Sequence, residues 1–510
     1  MRTTGVALRQ RAAALAARGP WLGVLRVAAG VLALAHVAVF VGVAALRIGY
    51  PYELEWIEGA TLQHVERVQG GLPVYTAPGL AFTPLLYTPL YYAVGAGVEA
   101  VLGTGLSALR LVSLLATLAA AALVAALVRG EGAPRAVAAF AAGLFVASYA
   151  VGGAWYDLAR VDALALALFL AFVYTARHAR SGARYAVAGV LLALAFLTKQ
   201  TTLAMGLPLV AYAFVTAGRR AWPMVASLAA GIGGAVLTLH LASGGWFGYY
   251  AFTLPGTHPW VPQAVFTFWA YDLARPFAVA LLVAAVGLAG GAARGASVGW
   301  AAVFWASAVA AAWLSRLHDG GFTNVVIPAY AATAVLAGLG AGALLDEASQ
   351  ASPPRRARTE GALLFAGALQ LLALAYDPTR LVPSPSDRAA ADRLAARLRA
   401  EARPVFIPAH HALTARAGHP PLAHEMALDD VLRSATPEGA ALRAELARAV
   451  RLGRWAYIVG DAETAVTLGL GQDYVLTDTL LTGSALAPVS GVDRRPRFGF
   501  RPAGPRRAAP

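Results

Sequence analysis

The chain has 510 residues, of which 58% are hydrophobic and only 13% are charged, whereas a soluble protein has about 25% charged residues. It has no cysteine, which excludes disulfides, thiolate catalysis and cysteine-ligated metal. The net charge of +14 would suggest nucleic-acid binding in a soluble protein. Here the arginines lie mainly in short loops between apolar runs, so the charge indicates membrane orientation and no nucleic-acid partner is expected.

The N-terminal stretch, residues 1–26, is basic and leads into an apolar run of about 20 residues, long enough for a membrane span. Such a run is too long for a signal-peptide core and others follow it, so an uncleaved first span with a cytoplasmic N-terminus is predicted. The chain then leaves the membrane in YPYELEWIEG, which places Glu53, Glu55 and Glu58 within six residues. These carboxylates are either solvated interfacial charges or part of an active site.

Later apolar runs lie near residues 85–102, 107–128, 136–152, 162–176, 185–198, 202–217, 222–241, 276–293, 298–314, 325–345 and 361–376. If every run crossed the membrane, the arginine-rich loop 177–184 would lie outside, against the positive-inside rule. If 85–102 instead lies along the interface, the arginines near 129–135, 177–184, 219–220, 294 and 355–358 all face the cytoplasm. The two prolines and the tyrosine cluster of TPLLYTPLYYAVGAGVEAVLG, residues 83–103, are typical of an interfacial helix. We therefore predict a polytopic α-helical protein of the plasma membrane with about eleven spans.

This topology gathers polar residues at one external rim. Beside the first-loop glutamates, the rim receives Asp157, Arg160, Asp162, Lys199, Arg316 and His318. Charged groups near membrane depth usually line a water-filled or ligand-filled cavity, so one outward-facing site is expected. Lys199 is the only lysine in the sequence, and its compact ammonium suits a phosphate. The alternative is a lysine that snorkels at a helix end.

The composition changes after residue 376. A Pro/Ser-rich linker is followed by Arg/Glu/Ala-rich helices, as in DRAAADRLAARLRAEA, and by short strands such as RPVFIP, WAYIVG and QDYVLTD. These patterns predict a membrane domain at 1–376 with a first external loop at 47–106, a small external α/β domain at 377–490, and a disordered basic tail at 491–510.

The order of these motifs resembles the C-type glycosyltransferase (GT-C) superfamily, which includes protein O-mannosyltransferases and aminoarabinose transferases. The stretch WIEGATLQHVERVQGGLPVY resembles their acidic first loop, and YTPLYY, with Tyr87 and Tyr91, resembles their interfacial Pro-Pro-Leu-x-Tyr motif. Arg160 and Asp162 resemble an R-x-D motif, and LLALAFLTKQ resembles the region that carries the family lysine. The family aspartate falls on Ile57, which leaves Glu55 or Glu58 as the base.

The resemblance implies transfer of a sugar from a polyprenyl-phosphate donor to a glycan, lipid or protein acceptor, with inversion and without a cofactor, metal or nucleotide. In this interpretation Glu55 or Glu58 is the base, and Lys199 and Arg160 hold the donor phosphate. Asp162, Asp157, Tyr87, Tyr91, Arg316 and His318 complete the expected substrate site.

Several alternatives stay open at this point. A structural ion-pair cluster explains Asp157, Arg160 and Asp162 as well as a phosphate site does. A loop network is the alternative for Arg316 and His318. An interfacial aromatic belt is the alternative for the tyrosines. His410, His411, His424 and Glu425 include metal-ligand types, but their spacing matches no standard site. A flippase of lipid-linked sugars would need half-repeats, which the sequence lacks, and an inactive scaffold of the same fold is the other alternative.

Overall fold

The computed structural model describes residues 20–289, 295–402 and 404–504. Residues 1–19, Arg294 and residues 505–510, which carry parts of the predicted topology and tail, lie outside the described residues. Helices occupy most of the described part of the membrane domain. In chain order they are α1 (Pro20–Ile48), α2 (Ile57–Gln69), α3 (Leu90–Leu102), α4 (Leu106–Gly130), α5 (Arg135–Ala147), α6 (Asp162–Arg177), α7 (Gly182–Thr198), α8 (Thr201–Ala217), α9 (Trp222–Ala242), α10 (Arg275–Ala289), α11 (Gly295–Arg316), α12 (Ile327–Ser349) and α13 (Pro353–Ala373).

Shorter helical turns connect these helices. They are Gly218–Ala221, Trp246–Gly248, Tyr249–Thr253, Pro255–Thr257, Ala264–Thr267, Phe268–Ala274, Thr323–Val326 and Pro378–Leu381. Gly218 separates α8 from α9 with a positive φ of 58°, a conformation that glycine adopts without steric cost.

The predicted count of eleven spans is not confirmed. Six helices in the described part of the chain are long and apolar enough to cross a membrane, or seven if the bent pair Pro353–Ala373 and Pro378–Arg399 forms one span. The predicted spans at α5, α6 and α7 are helical but have only 13, 16 and 17 residues. Thirteen residues rise about 20 Å, less than the roughly 30 Å of a bilayer core. Which side each end faces remains a prediction.

The C-terminal domain is a mixed sheet with helices around it. Its helices are α14 (Pro385–Arg399), α15 (His411–Arg416), α16 (Glu425–Leu432), α17 (Pro437–Arg451) and α18 (Ala462–Thr467). The strands are β1 (Val405–Phe406), β2 (Tyr457–Gly460), β3 (Tyr474–Thr479) and β4 (Phe498–Pro502). The sheet order is β1-β2-β4-β3, with β1 parallel to β2 and the other pairs antiparallel.

Strand β4, at Phe498–Pro502, corrects part of the prediction of a disordered tail at 491–510. Phe500 packs into the same apolar cluster as Trp455 and Ile458, and β4 hydrogen-bonds to β2 on one side and to β3 on the other. The alternating phenylalanines of RFGFRP carry a strand pattern, which the surrounding arginines and prolines obscure in the composition.

The first loop is packed between the membrane helices and the C-terminal domain. Residues 57–65 of α2 are all buried, and α2 packs against α3 and α15. A small apolar cluster joins Trp56, Ile57 and Leu85 of the loop to Ala409 and Ala427 of the C-terminal domain. The first-loop glutamates therefore lie in an interior and are not solvated surface charges.

Candidate functional site

Glu58 is fully buried and bound on both oxygens. Arg110, on α4, donates from Nε to Oε1 at 2.9 Å and from Nη2 to Oε2 at 2.5 Å. The backbone N–H groups of Ala159 and Leu54 donate to the same two oxygens at 2.8 and 2.7 Å. Burial favours the neutral acid, but the Arg110 charge and these hydrogen bonds outweigh it and lower the pKa of Glu58. The carboxylate stays ionised and has no oxygen lone pair directed toward open space.

Glu55 is also buried, but one of its oxygens has no partner. Its Oε2 accepts hydrogen bonds from Arg160 Nη1 at 2.9 Å and from the Ile57 N–H at 3.2 Å, whereas Oε1 accepts none. Burial raises the pKa of Glu55 to about 7; the Arg160 charge opposes this rise and the nearby Glu58 charge adds to it. Such a group exchanges a proton near neutral pH, as a general base must.

Arg160 connects Glu55 to the aromatic residues around it. Its Nη2 donates to the Tyr87 hydroxyl at 2.9 Å, and its guanidinium carbon lies 5.2 Å from the centre of the Trp155 ring. Its Nε is buried without a hydrogen-bond partner. Arg160 therefore keeps one donor available beside the partly bonded carboxylate.

A segment of the C-terminal domain covers the free oxygen of Glu55. We call residues 489–492 the strap. The Val489 N–H donates to the Leu54 carbonyl at 2.9 Å, and Ser490 Oγ donates to the Gly153 carbonyl. At Gly491, which has a φ of 78°, a Cβ would lie 3.1 Å from Glu55 Oε1. The strap thus lies directly over Glu55, and a Cβ at its centre would crowd the carboxylate in a backbone conformation that residues other than glycine rarely adopt.

Lys199 lies at a separate pocket next to this group. Its Nζ donates to Asp162 Oδ1 at 2.6 Å, and the side-chain amide of Asn324 donates to the same oxygen at 3.0 Å. The three residues line a small pocket of about 20 Å³ whose other walls include Leu166 and Met205. Lys199, Asp162 and Asn324 form the polar end of this pocket. Because Asp162 follows Arg160 by two residues, the polar end adjoins the Glu55–Arg160 pair.

Two residues predicted to bind substrate lie elsewhere. Asp157 accepts a hydrogen bond from Tyr149 at 2.9 Å and forms an ion pair with Arg47 at 3.2 Å. Tyr91 is fully buried, and its hydroxyl donates to the Leu109 carbonyl at 3.0 Å. Both side chains are buried. Their polar groups contact Tyr149, Arg47 and Leu109, and not the residues that line the Lys199 pocket.

Arg316 and His318 belong to a loop network. Arg316 donates to Asp272 at 2.8 Å and to the Gly321 carbonyl at 2.5 Å, and the His318 ring lies 5.6 Å from the ring of Trp260. Arg316 follows Ser315, which lines the Lys199 pocket, but its guanidinium is bonded to the loop. The network is the alternative that the contacts favour.

The histidines of the C-terminal domain attach it to the first loop. His411 Nε2 lies 2.8 Å from a carboxylate oxygen of Glu66, and His424 Nε2 lies 3.0 Å from the Trp56 carbonyl. The backbone N–H of Ala412 donates to Glu53 at 2.6 Å. Within the described ranges, no group of three His, Cys, Asp or Glu side chains is arranged to hold a metal ion.

Two residues of this region were missed from the sequence. Arg110 lies inside an apolar run, and a charge at that position was a signal that an intramembrane partner was needed. Gly491 carries no local pattern that distinguishes it from an ordinary loop residue.

Comparison with known proteins places this geometry in a structural class. Residues 86–246, which contain Tyr87, Arg160 and Lys199, match the family model of the dolichyl-phosphate-mannose-protein mannosyltransferases. Two crystal structures of ArnT from Cupriavidus metallidurans resemble the whole fold, one bound to undecaprenyl phosphate and one in the apo state. The chain has the GT-C fold.

The likeness to ArnT is in structure far more than in sequence. The TM-scores are 0.55 and 0.56, the sequence identity is 14% in both cases, and each alignment covers 91% of this chain and 97% of ArnT. No curated protein sequence matches the chain. The resemblance to the GT-C superfamily inferred from the sequence is confirmed.

Proposed function

We propose that this GT-C protein is a glycosyltransferase that moves a sugar from a polyprenyl-phosphate donor to an acceptor at the external membrane face, with inversion. The observation that carries the proposal is Glu55. It is a buried carboxylate with one free oxygen and a pKa of about 7, beside Arg160 and next to the pocket of Lys199. The matches to mannosyltransferases and to ArnT support the class of reaction.

Glu55, and not Glu58, is proposed as the base. An acceptor hydroxyl or amine would attack the anomeric carbon while its proton passes to Oε1 of Glu55. The bond between that carbon and the phosphate oxygen breaks, and the prenyl phosphate leaves with the electron pair. Because a phosphate needs no protonation to leave, no second acid is required, and attack from the opposite face inverts the anomeric centre.

Lys199 and Arg160 are proposed to stabilise the leaving phosphate. The Lys199 ammonium is 13% exposed and is held by Asp162, so it is oriented before a ligand arrives. Charge that develops on the phosphate in the transition state is best stabilised by such pre-positioned donors.

The strap has to shift before an acceptor reaches Glu55. The free oxygen has no solvent-accessible surface while Gly491 lies over it. The C-terminal domain would therefore take part in acceptor entry. A glycan, a lipid or a protein acceptor is compatible with this arrangement.

The test uses the purified protein in nanodiscs with radiolabelled polyprenyl-phosphate sugars. Wild type is compared with Glu55→Gln, Glu58→Gln and a matched control, Glu99→Gln, which changes a glutamate of the same loop near the surface. We expect wild type and the control to consume a donor, and Glu55→Gln to bind it but lose about 10²- to 10⁴-fold in turnover. Normal turnover by Glu55→Gln would reject Glu55 as the base. Donor movement across the bilayer without consumption would replace the proposal by a flippase.

A further inference from the structure

A second, larger cavity lies at the opposite end of the membrane domain. It has a volume of about 1230 Å³, is partly open to the outside, and lies between α1, α5, α10, α12 and α13. Along α12, Pro328 lines the Lys199 pocket, and the first residue that lines the large cavity is Ala337, nine residues further. Nine residues of helix span about 14 Å, so the two cavities are separate features of the fold.

The interior of this cavity is apolar and its polar residues lie at one end. Small and aliphatic side chains such as Ala33, Val37 and Leu363 line the interior. The polar lining residues other than Gln370 all belong to the same ends of their helices or to the adjoining turns: Arg26, Glu131, Asp346, Ser349, Arg356 and Glu360. The ion pair between Arg26 and Glu360, at 2.5 Å, confirms that these ends meet. The cavity is thus amphipathic along its length.

The depth of the cavity matches one leaflet of a bilayer. From Arg26 at the charged end to Val37 in the interior, eleven residues of α1 span about 16 Å. Half of a bilayer core is about 15 Å. Acyl chains that start at the charged end would therefore fill the apolar part.

In the described part of the chain, the charged end carries one cationic and one anionic side chain without a side-chain partner. Among the residues the structure describes, neither the Arg356 guanidinium nor the Asp346 carboxylate has a side-chain partner, although both line the cavity. The phosphate of a phospholipid would pair with Arg356, and a cationic amine on the same headgroup would pair with Asp346. A headgroup with both charges is complementary to both residues, whereas a phosphate alone leaves Asp346 unmatched.

We propose that the cavity is a binding site for one phosphatidylethanolamine molecule, with its phosphate at Arg356, its amine at Asp346 and its acyl chains among α1, α5 and α13. The site does not depend on the proposed transferase activity. Its role would be to fill a space between helices that otherwise lacks packing partners.

The test is native mass spectrometry of the full chain in detergent, titrated with phosphatidylethanolamine, phosphatidylglycerol or undecaprenyl phosphate. Gly30→Phe fills the cavity, because no atom lies within 4 Å of a Cβ at that position. Its matched control is Gly42→Phe, which has the same open space on the same helix but does not line the cavity. Arg356→Gln is compared with Arg358→Gln, an exposed arginine outside the lining.

We expect wild type to retain one phosphatidylethanolamine, with about tenfold weaker binding in Gly30→Phe and Arg356→Gln and no change in either control. Asp346→Asn should remove the preference for phosphatidylethanolamine over phosphatidylglycerol. Equal retention in all variants would overturn the proposal, as would competition by undecaprenyl phosphate for the Gly30 site. If Gly30→Phe does not fold, Arg356→Gln alone decides, because that side chain is on the surface.

Discussion

Replacing Glu58 by glutamine should destabilise the protein strongly, because Glu58 is part of a buried ion pair. Its two oxygens accept four hydrogen bonds, two of them from Arg110, and the side chains of both residues are at most 1% exposed. Glutamine keeps one acceptor oxygen and points an NH₂ group at a donor. Loss of one partner from a buried pair costs about 3–5 kcal/mol, because the other charge stays buried and unpaired.

The assay is SDS-induced unfolding of the purified protein, followed by tryptophan fluorescence. The matched control is Glu360→Gln, since Glu360 also accepts two hydrogen bonds from one arginine but the Arg26 side chain is 45% exposed. An exposed pair contributes about 0–1 kcal/mol, so the control should unfold nearly as wild type does. A Glu58→Gln protein with wild-type stability and no turnover would refute this reasoning and make Glu58 the base.

The remaining predictions concern the site itself. Turnover should fall tenfold for each pH unit below about 7, because the base Glu55 must be deprotonated and its pKa is about 7. A flat pH profile of turnover from pH 5 to 8 would exclude Glu55 as the base. Gly491→Ala should reduce turnover and leave donor affinity intact. The control Gly483→Ala, at a similar positive φ but with no neighbour within 4 Å, should leave both turnover and donor affinity unchanged. Equal effects of the two substitutions would mean that backbone strain alone is measured. Lys199→Ala should weaken donor binding about 10- to 100-fold, because a charge-assisted hydrogen bond is lost. Equilibrium binding of undecaprenyl phosphate measures this change. Lys199→Arg should restore little of the affinity, since a guanidinium differs in shape from an ammonium. Unchanged affinity in Lys199→Ala would favour a lysine that only closes the helix end.

The sequence predicted the helical fold because apolar runs and arginine placement are local signals. The short α3, with 13 residues, fits the predicted interfacial helix at 85–102. The number of spans was less predictable, since runs such as 136–152 are apolar throughout but only part of each run forms a helix. Apolarity alone does not set where a helix ends.

The choice between Glu55 and Glu58 could not be made from the sequence. It depends on Arg110, which lies 52 residues away on another helix and binds Glu58, and on a strap 436 residues beyond Glu55. Both glutamates have similar local neighbours, and only the packed structure separates a saturated carboxylate from one with a free oxygen.

The position of the strap has a consequence for how the protein is made. Translation runs from the N-terminus, so Glu55 leaves the ribosome well before residues 489–492 do. Until the strap follows, the carboxylate beside Arg160 lacks its cover. A chain truncated before residue 489 would keep this acid without the segment that lies over it. The enclosure of the site is thus tied to synthesis of the strap.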